Sequence, residues 1–196
     1  MKFAFYIFLH LFLGHLNHHT ANVYALKPVF EDGDTLSRKI KPKIAFPTPN
    51  VPKLFYIQRD PNTNTIIYDL NVEKSGQLNP DEPVHVYWIK YNEHGQKEEL
   101  NFIQRKFAYG VVAKPAGNDK YDVRIVAYKK YQMTLSKWAN DNKYHVFANI
   151  DKHEVIVNRI FLRIEGGTFW FPNVVYIEVK GTDTQSGKEL TERFKP

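Results

Sequence analysis

The 196-residue sequence predicts a mainly β protein, an antiparallel β-sandwich or barrel of about nine strands with one short helix at about 98–109. Three observations carry that reading. Short runs of β-branched and aromatic residues recur from residue 54 onward, separated by Gly, Pro, Asn and Asp. Several runs alternate apolar with polar residues, the period of a half-buried strand. One stretch alone has apolar residues at helical spacing. The composition, 43% hydrophobic and 15% aromatic with 10 Gly and 11 Pro, excludes collagen-like, coiled-coil and wholly disordered chains.

The first strand is read at Leu54–Arg59 and the second at Thr65–Asn71, joined by a turn at Asp60-Pro61-Asn62-Thr63-Asn64. Pro83–Tyr91 is the third. It places Val84, Val86 and Trp88 on one face and His85, Tyr87, Ile89 and Tyr91 on the other, so both faces are largely apolar and the strand is expected to be central. Asn92-Glu93-His94-Gly95 is the next turn. Glu98–Tyr109 is the helix, with Leu100, Ile103 and Phe107 on one face, two acids at its start and Gly110 at its end. Strands follow at Tyr121–Tyr128, Tyr131–Lys137 and Tyr144–Ile150. In Glu154–Glu165, Ile156, Ile160, Leu162 and Ile164 are expected on a core face opposite Arg159, Arg163 and Glu165. Asn158 interrupts that apolar face, either lining a ligand cavity or sitting at a bulge or bonded to backbone. Gly166-Gly167 ends the run. Asn173–Gly181 and Glu189–Phe194 form a closing hairpin around Gln185-Ser186-Gly187.

The N-terminus reads as a targeting segment. Lys2 precedes an apolar run from Phe3 to Leu13, about 16 Å long as a helix and too short to cross a bilayer core of about 30 Å. Val23-Tyr24-Ala25 fits a small-x-small cleavage pattern, so residues 1–25 are expected to be a signal peptide. Residues 26–52 hold five of the eleven prolines and the basic cluster Arg38-Lys39-Ile40-Lys41-Pro42-Lys43. They read as an extended leader or as an arm lying on the domain. Residues 53–196 are expected to be a single β-rich domain. The expected location is periplasmic or extracellular, soluble and with no transmembrane span after cleavage.

The chain has no cysteine, which excludes disulfides, thiolate metal sites, thiol nucleophiles and lipid anchoring through cysteine. No serine lies in a G-x-S-x-G or S-x-x-K pattern. Asp60, Asn62, Asn64 and Asp69 open like a calcium loop, but Thr65 stands where that loop needs glycine and Asn71 where it needs a bidentate glutamate. No metal site and no cofactor are expected. The net charge of +6 is spread along the chain, so nucleic-acid binding is not expected either.

Three sets of motifs carry a resemblance. They are Leu54-Phe55-Tyr56-Ile57-Gln58-Arg59 with Pro61-Asn62, Asn64-Thr65 and Tyr68; Pro83-Val84-His85-Val86-Tyr87-Trp88-Ile89 with Gln104-Arg105-Lys106 and Ala108-Tyr109-Gly110; and Gly166-Gly167, Phe169-Trp170, Pro172, Val174 and Tyr176-Ile177-Glu178. Over roughly Pro52 to Phe194 the sequence resembles the uncharacterised bacterial family labelled domain of unknown function 4833. The resemblance implies an exported or envelope protein and supplies no catalytic residues.

The candidate ligand-binding residues are Arg59, Asn62, Asn64, His85, Tyr87, Arg105, Tyr109 and Trp170. If the first strand, the third strand and the helix are neighbours, several converge, and Arg59 with Arg105 clamps an anionic group. The alternative is that both arginines hold the hairpin and the helix in place. Trp170 is either a stacking residue or an aromatic plug. The expected function is a non-enzymatic binding or structural domain of the cell envelope, with a small ligand, a glycan or an envelope protein as partner. The alternative is a carbohydrate-active or other hydrolase with a carboxylate or histidine site.

Overall fold

The computed structural model describes residues 44–167 and 172–196. Among them lie eleven strands: β1 (Phe55–Arg59), β2 (Asn62–Leu70), β3 (Val84–Lys90), β4 (Gln96–Glu99), β5 (Val111–Pro115), β6 (Tyr121–Ile125), β7 (Met133–Lys137), β8 (Tyr144–Ile150), β9 (His153–Gly167), β10 (Pro172–Asp183) and β11 (Glu189–Phe194). One helix, α1 (Phe102–Phe107), lies between β4 and β5.

The strands form one sheet that forks at β9. The first half of β9 pairs antiparallel with β8, from Phe147↔Ile156 to Ile150↔His153. Its second half pairs with β1, from Tyr56↔Arg159 to Arg59↔Leu162, in parallel where the sequence reading had every pair antiparallel. Its other edge carries β10, which pairs in turn with β11. Two arms therefore leave the same edge of β9, one running β1-β2-β3-β4 and the other β8-β7-β6-β5. The end strands β4 and β5 do not pair, so the sheet is open and the barrel alternative does not hold.

The arms meet through their inner side chains. Phe55, Ile57, Ile66, Tyr68, Val86 and Trp88 are buried on the first arm, and Val123, Met133, Leu135 and Val146 on the second. Each large apolar side chain removed from water contributes about 1.5–3 kcal/mol. The Trp88 ring meets Tyr109 edge-on at 4.9 Å, where the chain leaves α1 for β5. Tyr128 and Tyr131, in the β6–β7 connection, stack on Phe194 at the end of β11 at 5.7 and 5.5 Å.

Both faces of β3 are apolar, as expected, because its outer face is also covered. Tyr87, Ile89 and Ile67 form a buried outer cluster with Val51, Tyr56 and Tyr91 against it. Residues 44–53 run along this side. Phe46 meets Phe161 at 5.1 Å, and the Gln58 Nε2 donates to the Pro47 carbonyl at 2.7 Å. Gln58 is buried but satisfied, since its Nε2 also bonds Thr65 Oγ1 and its Oε1 accepts from Arg159 Nε at 2.9 Å.

Four expectations are corrected. The helix spans Phe102–Phe107, not 98–109, because Glu98 and Glu99 belong to β4 and pair with Trp88 and Tyr87. Asn101 begins the helix through a capping box: its side chain accepts from the Gln104 N–H, and the Gln104 side chain accepts from the Asn101 N–H. The β1–β2 turn is shorter than Asp60–Asn64, since Asn62 already pairs with Arg59 across Asp60-Pro61. β4 and β5 bring the strands to eleven rather than about nine.

The fourth correction concerns the face of β9. The register jumps from Lys180↔Arg159 to Gly181↔Val157, so Asn158 is the extra residue of a bulge, and its Nδ2 donates to Thr182 Oγ1 at 2.8 Å. Alternation changes phase there. Val155 and Val157 are buried before it and Ile160 after it, whereas Ile156 leaves the face it was expected to share. Gly181 fits the same spot closely: a Cβ there would lie 2.6 Å from Val155 Cγ2.

Candidate functional site

An apolar cavity of about 70 Å³ lies at the fork of the sheet. One water needs roughly 10–15 Å³, so the space exceeds a single water several-fold. Strand β1 contributes Ile57 and Arg59 to its wall, and β9 contributes Ile160, Leu162 and Ile164. Val174, Ile177 and Val179 of β10 extend it, Ala108 and Tyr109 enter from the end of α1, and Tyr128, Tyr131 and Phe194 form an aromatic side. Arg59 is the one charged residue in this wall among the described residues.

The register explains the assembly. Ile57 pairs with Ile160, which pairs across with Val179; Arg59 pairs with Leu162, which pairs across with Ile177. These are successive inward positions on three adjacent strands, and the Asn158 bulge is what brings Ile160, Leu162 and Ile164 into phase with Val155 and Val157. Tyr109 is fixed from two sides, by its carbonyl accepting the Tyr68 hydroxyl at 2.8 Å and by its ring on Trp88. Burial raises the Tyr109 pKa, and the Arg59 charge pulls it partly back. Burial also raises Tyr131, reinforced by the Glu192 carboxylate. Both phenols are therefore neutral at pH 7.

The predicted site residues divide into three groups. Arg59 and Tyr109 share the cavity wall. His85, Tyr87 and Arg105 gather on the outer face of β3 and β4, around Glu99. The His85 Nε2 lies 2.8 Å from Glu99 Oε2, Lys97 Nζ sits 3.9 Å over the Tyr87 ring, and Arg105 lies 2.9 Å from Glu82 and 4.0 Å from Glu99. Arg105 is thus engaged with carboxylates on the outside, and it forms no clamp with Arg59 in the cavity. Burial raises the Asp69 pKa on this face, against the Leu70 N–H and the nearby His85, Lys97 and Lys53 charges.

Asn62 and Asn64 form the third group, at the β1–β2 hairpin. The Asn64 Oδ1 accepts from the Asn92 N–H at 2.9 Å and the Asn62 Oδ1 from the Asn64 N–H at 2.7 Å. Asp60 is held by Arg163 at 2.7 Å. The oxygens that suggested a calcium loop thus already accept from protein donors, and no metal-holding group of acidic and histidine residues occurs among the described residues. Trp170 lies outside the described residues.

Other histidine–carboxylate pairs have structural geometry. Asp183 is 3% exposed and accepts from the Ser186 N–H and hydroxyl, from the Gln185 N–H and from His153 Nδ1 at 2.8 Å. The Ser186 bonds, helped by the Gln185 N–H and His153, lower its pKa to about 2. Serine and histidine both bond the aspartate here, whereas a hydrolytic triad needs histidine between the other two. Asp183 therefore closes the β10–β11 turn. No helix among the described residues is long and apolar enough to cross a membrane.

The cavity was only partly accessible to sequence reasoning. Ile160, Leu162 and Ile164 fall on one face by alternation alone, whereas Val174 joins Ile177 and Val179 only through the irregular pairing between Val174 and Tyr176. Tyr128, Tyr131 and Phe194 carry no local signal that they meet.

A family model described as Domain of unknown function (DUF4833) matches residues 55–193. No curated protein and no solved structure matches the chain.

Proposed function

The chain belongs to the DUF4833 family, and from that premise we propose that it is an exported, non-enzymatic binding domain of the cell envelope that holds a small apolar or amphipathic molecule at the fork of its sheet. The observation that carries this reading is the cavity between the arms, walled by aliphatic and aromatic side chains. A concave, mostly apolar space with few polar groups is the usual form of a small-molecule site, and at about 70 Å³ this one admits only a ligand of a few non-hydrogen atoms. The exported location rests on the N-terminal pattern of Lys2, the apolar run Phe3–Leu13 and Val23-Tyr24-Ala25.

The rival reading is a hydrolase acting on carbohydrate or another substrate through a histidine and a carboxylate. His85 and Glu99 supply such a pair at 2.8 Å, with side chains 30% and 55% exposed. They lie on an outer sheet face beside Lys97 and Arg105, where water reaches them. General acid–base work needs a substrate held within hydrogen-bond reach, which favours the interior cavity as the working site and a binding role for it.

The test is a titration of the chain, followed by NMR, with butanol, a short neutral amphiphile, beside two variants that fill the cavity at its further wall residues Ala127 and Ile125, Ala127→Phe and Ile125→Trp. Saturable binding by the parent chain, lost in a variant that still melts cooperatively, is expected. Absence of binding, or binding unaffected by the filled cavity, would overturn the reading.

A further inference from the structure

We infer that the outer face of the second arm, β5 to β8, is a docking surface for an acidic polysaccharide, a chain of sugars that carry carboxylates. The inference is independent of the cavity, which lies on the inner side of the arms.

The fold sorts charge that the sequence spreads out. Residues 54–101, which hold β1 to β4, carry four Lys and Arg against eight Asp and Glu. Residues 111–150, which hold β5 to β8, carry seven against three. The first arm is therefore net acidic and the second net basic. The ion pairs within the second arm are Arg124–Asp122 at 3.0 Å and His145–Asp141 at 2.8 Å. Lys114, Lys120, Lys129, Lys130, Lys137 and Lys143 are all exposed, and among the described residues no carboxylate lies within ion-pair reach of them. Uncompensated charge gathered in this way holds a positive potential that draws in a polyanion.

The geometry adds an aromatic surface to that charge. Val123, Met133, Leu135 and Val146 turn to the core, so the residues alternating with them face outward. Register lines these up: Lys114 beside Asp122, Asp122 beside Thr134, Thr134 beside Phe147, and Ser136 beside His145. Trp138 continues the same face, its N–H donating to the Lys143 carbonyl at 2.8 Å. The Trp138 ring meets His145 edge-on at 5.7 Å, and His145 meets Phe147 at 6.2 Å. Trp138 is half-buried beside exposed Lys143. A uronate ring fits this pair, with its apolar C–H face on the indole and its carboxylate toward the ammonium.

Three other occupants fit less well. The exposed large apolar side chains among the described residues are Val72, Phe102 and Ile103, none of them in this arm, so it has no apolar anchor for a bilayer. Nucleic acid is gripped best by arginine forks and successive stacking rings. Here the cations are lysines apart from Arg124, which already bonds Asp122 and the Lys129 carbonyl. A second copy could offer its acidic arm, but the sheet ends are blunted by the short charged strand β4 and by Pro115 in β5.

The test measures binding of the full chain to immobilised polygalacturonate by biolayer interferometry, beside dextran, duplex DNA and phosphatidylglycerol vesicles. Polygalacturonate is expected to bind most tightly, with an affinity that falls as salt rises, and dextran not at all. Lys114→Gln, Lys129→Gln, Lys130→Gln and Lys143→Gln together are expected to weaken polygalacturonate binding at least about tenfold. The matching set in the leader, Arg38→Gln, Lys39→Gln, Lys41→Gln and Lys43→Gln, is expected to weaken it less. Trp138→Ala is expected to weaken binding while leaving its salt dependence unchanged, which separates stacking from charge; the lysine set decides if Trp138→Ala does not melt cooperatively. Tighter binding of DNA or vesicles, an equal or larger loss from the leader set, or unchanged binding by the lysine set or by folded Trp138→Ala would overturn the inference. A parent chain that sediments as a dimer and becomes a monomer with the lysine set would also overturn it, because a second copy then occupies the face.

Discussion

The hydroxyl of Tyr68 donates to the backbone carbonyl of Tyr109 at 2.8 Å, both residues being buried and 41 positions apart. This bond fastens β2, in the first arm, to the point where the chain leaves α1 for β5. It also sets a wall of the cavity, because Tyr109 lines it while its ring rests on Trp88. Tyr68→Phe removes the donor and leaves a buried carbonyl unanswered. The expected cost is about 1–3 kcal/mol in urea unfolding. A midpoint unchanged from the parent would mean that the carbonyl finds another donor and that this bond does not hold the wall.

Asp183 makes acid stability measurable at one side chain. Its pKa is lowered to about 2, chiefly by the Ser186 N–H and hydroxyl. A carboxylate whose folded pKa lies below its unfolded value of about 3.9 contributes stability above the latter. That contribution is lost as pH falls from about 4 through 2. Asp183→Asn is expected to be less stable at neutral pH and to show a shallower loss of stability across this window. A variant whose acid profile parallels the parent's would assign the loss to other carboxylates.

Two glycines mark places where backbone passes too close for a side chain. A Cβ on Gly110 would lie 1.9 Å from the Arg105 carbonyl oxygen, and one on Gly181 would lie 2.8 Å from the Ile156 oxygen. Gly110→Ala and Gly181→Ala are each expected to destabilise by about 1–3 kcal/mol or more, with Gly110→Ala the larger effect. Thermal melts rank them directly. The reverse order would show that the α1–β5 junction relaxes more readily than the β9–β10 pairing.

The capping box at α1 carries a fourth prediction. Asn101→Ala removes the acceptor for the Gln104 N–H and is expected to cost about 1 kcal/mol in urea unfolding. An unchanged midpoint would mean that six-residue α1 is held by its tertiary contacts alone.

The two apolar faces of β3 were legible in the sequence because period-two alternation needs no long-range information. The helix boundaries were not, although a local signal for them exists. Acids at 98–99 suit both a helix start and an exposed edge strand, and only the Asn101-x-x-Gln104 pattern separates the two. The bulge at Asn158 is a different case. Alternation predicts one face for Ile156 and Ile160, and a single unpaired residue reverses it without changing the composition of the run. Arg59 and Tyr109 stood together among the candidate residues for their chemistry, yet the cavity they share depends on the fork at β9, which rests on pairings between strands about a hundred residues apart. His85, Tyr87 and Arg105 stood in the same candidate set as Arg59 and Tyr109, but they lie around Glu99 on the opposite side of the sheet from that cavity.

The account is tested most directly by native mass spectrometry of the chain isolated gently from the cells that make it. It predicts a reproducible mass excess that leaves on denaturation, with Ala127→Phe carrying none. A bare mass for the parent chain, or an excess carried equally by Ala127→Phe, would contradict it.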